Sequence, residues 1–288
     1  MQFTVTEVVP DFVGEIGDFP FDATDAQVLA DLRAAWTRYP VLRFRNVAID
    51  DQQQVAFSKR LGPSVIHPRQ LQEGKHGGIP EILVVSNKKN PDGSPAGDLG
   101  DGELVWHTDT WFVERPPSAA ILRSLVLPVT GGDTHFANMY TAYETLPDAL
   151  RARLHGLTIH HQSVIDGRGE VRAGKQIPAT EDYASWPGVD HPLVRRHGDS
   201  GKPCLYLGGD SKRAVILGMP QDEAADLLAQ LWQHATQPAN AWAQQWQPGD
   251  MVMWDNRCVM HRRDAFDAAT IRLMHRTTVE GERPQAVL

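Results

Sequence analysis

The sequence predicts a mostly β chain with flanking helices packed outside a sandwich or barrel. Three observations predict it. Short apolar or alternating runs bounded by Gly, Pro and Asp recur through most of the chain, few segments carry helical spacing, and no βα alternation repeats. At 288 residues, 41% hydrophobic and 22% charged, the chain is long enough to bury its own core, and we read residues 1–288 as a single catalytic domain.

The elements follow in order. Val28, Leu29, Leu32, Ala35 and Trp36 predict a helix over 22–39, with Thr24 and Gln27 as capping box and Pro40 as stop. Residues 41–47 alternate like a strand, and 51–61 form a second helix ended by Gly62 and Pro63. Strands are expected over 82–85 and 119–128, the second closed by the turn Gly131-Gly132-Asp133, then a helix over 140–154. Residues 193–196 and 205–207 flank a hairpin turn at Asp199-Ser200-Gly201. A helix over 221–236 starts with acids and places Leu227, Leu228 and Leu231 on one face. Strands over 241–246, 251–256 and 270–279 complete the chain, with a turn at Pro248-Gly249-Asp250. Two segments rich in Gly, Pro and charge, 87–102 and 163–189, read as active-site lid loops, since long irregular loops inside a compact domain usually serve a site.

Composition excludes several classes of function. The formal charge of −8 argues against nucleic acid as a partner, and the pairs Arg195-Arg196 and Arg262-Arg263 are too short to reverse that. Cys204 and Cys258 have no zinc-type spacing and read as buried thiols in a reducing compartment. The N-terminus carries acids where a secretion signal carries bases, and no apolar run approaches the roughly 20 residues of a membrane span. A soluble, cytoplasmic protein is the expectation.

The chemistry starts at Trp106-His107-Thr108-Asp109. In extended chain His107 and Asp109 point the same way, with Cα atoms about 6–7 Å apart, so both reach one divalent ion. His261, at the end of a strand and followed by a loop, fits the third ligand. Two imidazoles and a carboxylate on one face of an octahedral ion leave positions open for a bidentate co-substrate and O₂, which suits iron(II). Zinc in the same triad would favour one open site and hydrolysis. On the 270–279 strand Arg272, Met274, Arg276 and Thr278 share one face. Guanidinium groups beside Met274 need anions, and an arginine fork suits a carboxylate. The two arginines lie roughly 13 Å apart along the strand, far enough for two different anions. Thr134, after the Gly-Gly-Asp turn, offers a neutral hydroxyl. His155, His160, His161, His191, His197, His234 and His275 read as core or surface, His135 follows Thr134 and could approach the site, and Trp242 and Trp246 read as core.

In this order and spacing, Trp-His107-Thr-Asp109, Gly-Gly-Asp-Thr134, Trp254-Asp-Asn-Arg257 leading to His261, and Arg272 with Arg276 resemble the taurine dioxygenase family of iron(II)/2-oxoglutarate-dependent oxygenases, which includes 2,4-dichlorophenoxyacetate dioxygenases. Leu61-Gly62-Pro63, His67-Pro68 and the strand after Pro40 match as well, so the resemblance spans about residues 40–282. It implies a double-stranded β-helix (a cupin-like jelly roll), Fe(II) on His107, Asp109 and His261, and O₂ as oxidant. It also implies 2-oxoglutarate as co-substrate, with Thr134 and Arg272 on its far carboxylate. His67 and Arg276 fall where relatives hold the substrate's acidic group. A homo-oligomer, dimer or larger, follows by the same resemblance.

Two departures bear on the substrate. Glu103 stands where taurine enzymes carry an asparagine, and Gln70 replaces a tyrosine. A carboxylate beside a sulfonate is unfavourable unless a cation pairs with it, so taurine is not expected and a small anionic organic substrate is. Competing readings are an aryloxyalkanoate or amino-acid hydroxylase of the same family, a zinc hydrolase on a cupin-like barrel, and a binding protein that has kept the fold.

Overall fold

Local chemistry sets the helix starts. In the computed structural model, which describes residues 2–66, 78–166, 169–209 and 212–287, the first helix is Ala26–Arg38, and its N-cap is Asp25 rather than the expected Thr24. The Asp25 carboxylate accepts the Gln27 N–H at 2.8 Å, and a carboxylate there also complements the helix dipole. Asp50 and Gln53 form a complete capping box for Asp51–Leu61. The helix expected over 140–154 is instead two short helices, Met139–Glu144 and Asp148–Arg153. Pro147 causes the break, because it has no N–H to donate and disfavours helical backbone in the residue before it. Gln221–Ala235 forms as expected and buries Leu227, Leu228 and Leu231.

The largest sheet has eight strands in the order Thr4–Val9, Val13–Gly17, Val41–Phe44, Met251–Asp255, Ala119–Val126, Leu273–Val279, Leu83–Ser86 and Asp98–Leu99. A four-stranded sheet runs Ala241–Gln244, Thr134–Asn138, Val259–Arg263 and Leu104–His107. Two three-stranded sheets complete the β structure, so the chain is mostly sheet with few helices. Central strands of the large sheet are buried on both faces, and alternate residues join different cores. Ala120, Leu122, Val252, Trp254 and Met274 pack with Phe136 and Ala137 of the smaller sheet. Ala119, Ile121, Met251 and Met253 pack instead with Leu32 and Trp36 of the first helix and Phe57 of the second. The functional side chains lie in the space between the two sheets.

Several strands carry too little apolar signal to be read in advance. Val259–Arg263 contains a histidine and two arginines, yet Arg263 is only 4% exposed. Thr134–Asn138, Thr158–Gln162 and Gly188–Pro192 are likewise polar strands. The last long strand begins at Leu273 rather than at 270. Both cysteines are free and buried. Among the described residues, no helix is long and apolar enough to cross a membrane.

Candidate active site

Register brings the two histidines together. His107 is the last residue of its strand and lies directly opposite His261 in an antiparallel pair. Directly opposed side chains project to one face, and the two imidazoles stand 4.2 Å apart between centroids. Beyond His107 the chain leaves the sheet. The Thr108 N–H donates to the Gly208 carbonyl at 2.9 Å, and the Asp109 N–H donates to Asn256 Oδ1 at 2.7 Å. Asn256 Nδ2 returns a hydrogen bond to the Asp109 carbonyl at 3.1 Å and gives another to Pro117 at 2.9 Å. Thr110 then turns with φ 45°, a left-handed conformation that a β-branched residue adopts at a cost of about 1–3 kcal/mol.

These constraints aim three donors at one point. Asp109 Oδ1 lies 3.9 Å from His107 Nε2 and 4.0 Å from His261 Nε2. Among the described residues, one ligand atom from each of the three falls within 4.8 Å of the others. His107 Nδ1 lies 2.7 Å from the Val105 carbonyl, which fixes its proton there and leaves Nε2 as a lone pair. Burial lowers the pKa of both imidazoles, so both are neutral near pH 7. Burial alone would raise the Asp109 carboxyl, but Arg276 and the two imidazoles outweigh it and hold it at about 2. Neutral nitrogens and an ionised oxygen are the protonation states a divalent cation requires.

A second polar corner lies along the same space. Thr134 and Arg272 are buried, at 3% and 1% exposure. Arg272 Nε and Nη2 have no hydrogen-bond partner among the described residues. Gly132, at φ 73°, lies so close to the Arg272 shaft that an added Cβ would sit 3.2 Å from its Cδ and Nε. Burial and the neighbouring Arg263 pull the Arg272 pKa down to about 9. A buried guanidinium with bare nitrogens has the charge and the donors to take an anion. Thr134 Oγ1 also accepts from Trp246 Nε1 at 3.1 Å, a site neighbour that the core reading of Trp246 missed.

Arg276 reaches the metal corner, donating to Asp109 Oδ1 at 2.9 Å. Above these groups opens a cavity of about 390 Å³, with His107, Asp109 and Arg276 among its lining. Leu83, Leu104, Trp111 and Phe112 supply apolar wall. Asp98 comes from the short edge strand Asp98–Leu99, which interrupts the loop expected over 87–102, and Glu103, Asp166 and Arg172 come from the surrounding loops. Glu103 is paired with a cation of the chain itself: Arg262 Nη1 stands 3.5 Å from its Oε1. His67 and Gln70 lie outside the described residues.

A second cluster, His197, Asp255 and Cys258, also brings ligand-type atoms together. Its acid is already neutralised: Arg257 donates to Asp255 at 2.9 and 2.7 Å, and His197 approaches it at 2.9 Å. That network is structural, and it is buried throughout.

Comparison with known proteins agrees with this geometry. The profile of the "Taurine catabolism dioxygenase TauD, TfdA family" matches residues 4–278. The chain belongs to the TauD/TfdA family. An alpha-ketoglutarate-dependent 2,4-dichlorophenoxyacetate dioxygenase of Burkholderia sp. (strain RASC) is 31% identical, over 95% of this chain and 93% of its own. An alpha-ketoglutarate-dependent sulfate ester dioxygenase of Pseudomonas putida is 33% identical, over 91% and 84%. The crystal structure of AAD-2 in complex with Mn(II) and N-oxalylglycine aligns with a TM-score of 0.79 at 29% identity, covering 99% of this chain and 100% of that one. A taurine dioxygenase from Burkholderia xenovorans aligns at 0.79 and 30% identity, over 99% and 92%. As a TauD/TfdA member the chain is a 2-oxoglutarate-dependent dioxygenase, with Fe(II), 2-oxoglutarate and O₂ as the family's requirements.

Asn256 is the positioning residue that sequence reading passed over. It stood inside the quoted Trp254-Asp-Asn-Arg257 motif, but nothing in spacing says that its amide spans two loops. Arg172, on the loop beyond residue 163, gave no signal at all, since an arginine in a polar loop reads as solvated.

Proposed function

We propose that this TauD/TfdA enzyme hydroxylates a C–H bond of a small anionic organic substrate, using His107, Asp109 and His261 to hold iron(II). The observation that carries the reading is the convergence of two neutral imidazole nitrogens and one ionised carboxylate within 4.8 Å. That donor set fits the facial arrangement of non-haem iron sites. Iron(II) with 2-oxoglutarate and O₂ supplies the oxidation, with 2-oxoglutarate leaving as succinate and CO₂.

The chain's own residues supply everything else. Thr134 and Arg272 take the far carboxylate of 2-oxoglutarate, satisfying the two bare guanidinium nitrogens of Arg272. Arg276, with His67, takes the substrate's anion. The apolar wall excludes water and holds the body of the substrate so that one C–H bond faces the metal corner. Glu103 sits at the rim, where Arg262 offsets its charge so that it can stand near the substrate's anion. The segments 87–102 and 163–189 act as lids, supported by Asp98, Leu99, Asp166 and Arg172 in the cavity lining. The two facing sheets support the double-stranded β-helix reading.

The names of the relatives narrow the substrate. A 2,4-dichlorophenoxyacetate dioxygenase and a sulfate ester dioxygenase are named for an aryloxy carboxylate and a sulfate ester. Trp111 and Phe112 in the wall favour an aryloxyalkanoate as the first acid to try. The test is anaerobic protein with Fe(II) and 2-oxoglutarate. A metal-to-ligand charge-transfer band should form and vanish in His107→Ala, and succinate release should depend on one of a panel of carboxylates, sulfonates and sulfate esters. Absence of the band in the unmodified chain would sink the proposal.

A further inference from the structure

We propose that Arg263 is a second cation of the co-substrate site. With Arg272 and Thr134 it forms a buried cradle for the far carboxylate of 2-oxoglutarate, and it ties that cradle to the wall of the substrate cavity. This rests on the function proposed above.

Register carries the first half. Arg263 lies directly opposite Thr134 in an antiparallel pair, so the two side chains share a face. That face also bears His261, two residues earlier on the same strand. The turn before Thr134 is fastened to the segment after Arg263: Gly131 bridges Phe266, and the Gly132 N–H donates to the Ala265 carbonyl at 3.3 Å. Arg272 lies against Gly132, and the Arg263 guanidinium sits 5.3 Å from the Phe266 ring centroid. Two guanidinium groups, 4% and 1% exposed, thus occupy one corner. Nε of each, and Nη2 of Arg272, have no partner among the described residues. The nearby carboxylates Asp101 and Asp133 offset part of that charge but leave these donors bare, and an arriving carboxylate supplies both charge and acceptors.

The second half follows from the nitrogen that is in use. Arg263 Nη2 donates to the Leu99 carbonyl at 3.0 Å and also to the Gly102 carbonyl. These two carbonyls fasten the 98–103 segment, whose Asp98, Leu99 and Glu103 line the substrate cavity. One guanidinium therefore touches both sites. Filling the cradle fixes Arg263, and Arg263 fixes the wall.

The test titrates 2-oxoglutarate, and separately 2-oxopentanoate, which lacks the far carboxylate, into Mn(II)-loaded wild type, Arg263→Gln and Arg263→Lys by calorimetry. Arg263→Gln should bind 2-oxoglutarate about 10- to 100-fold more weakly and 2-oxopentanoate unchanged, as expected for losing a charged hydrogen bond. Hydrogen exchange of residues 98–104 should slow when wild type binds 2-oxoglutarate and not when Arg263→Gln does. Should Arg263→Gln fail to fold, Arg263→Lys decides, since it keeps the charge and loses the fork: a loss confined to 2-oxoglutarate supports the cradle. Either folded variant binding 2-oxoglutarate within two-fold of wild type, with unchanged exchange, overturns it. A wild type that binds no 2-oxoglutarate overturns the co-substrate reading itself.

Discussion

Arg276 Nη1 donates to both oxygens of Asp109, at 2.9 and 3.2 Å. The nearer oxygen, Oδ1, is the same atom that lies about equidistant from the two imidazole Nε2 atoms. One carboxylate therefore serves a guanidinium and a prospective metal position at once. The guanidinium keeps Asp109 ionised inside a buried corner, yet its positive charge stands next to where a divalent cation must arrive. An anion bound by Arg276 relieves that repulsion.

Arg276→Gln should accordingly tighten Mn(II) binding in the absence of any organic acid. An increase of about 3- to 10-fold corresponds to removing roughly 1 kcal/mol of like-charge interaction. The KM for the substrate should rise at least about tenfold, because its anion loses a charged partner. Weaker metal binding in Arg276→Gln would show that the arginine orients Asp109 instead of competing for it.

Asn256→Ala removes the amide that holds the Asp109 backbone at 2.7 and 3.1 Å while leaving every metal-binding atom in place. Groups that orient a ligand typically contribute about 10- to 100-fold in metal affinity. Mn(II) titration should find a loss in that range with far-UV circular dichroism unchanged. Wild-type affinity would mean that the strand end alone positions Asp109.

Much of this site was legible because its residues obey short-range rules. His107 and Asp109 are two apart at a strand end, so local geometry already points that pair, and Arg276 lies on the strand Leu273–Val279 with Arg272 just before it. What local geometry cannot give is pairing. His107 meets His261 only through the register of two strands more than 150 residues apart, and Val259–Arg263 hides its strand character behind charged residues buried by their neighbours. Arg263, Asn256 and Trp246 became site residues for the same reason: each is placed by a partner distant in sequence. The break within 140–154 is legible too, because Pro147 cannot continue a helix.

Acid should destabilise the metal-free chain through its buried histidines. Burial lowers the pKa of His107, His161 and His261, and that of His191 to about 4. Unfolded histidine titrates near about 6.5, so below that pH the unfolded chain binds protons that the folded chain refuses. The stabilisation is complete above pH about 6.5 and is lost as pH falls toward the folded values, at up to about 1.4 kcal/mol per pH unit for each histidine. Urea midpoints should fall steeply from pH 7 to 5. A flat profile there would mean that these imidazoles are hydrated in solution.

Gly209 is the position where one methyl group should disturb the metal corner. A Cβ there would lie 2.7 Å from His107 Cβ and 2.6 Å from Trp111 Cζ3, both closer than real contacts allow. Neither neighbour has room to yield. His107 is fixed by its strand partner and by the Val105 carbonyl, and Trp111 is 4% exposed. Gly209→Ala should cost about 1–3 kcal/mol of stability by overpacking. Because the displaced group is a proposed ligand, Mn(II) affinity should fall about tenfold or more, whereas overpacking far from the site would spare it. Thermal melts and metal titration on the same preparation separate the two effects. A destabilised chain with unchanged Mn(II) affinity would place the strain on Trp111 alone.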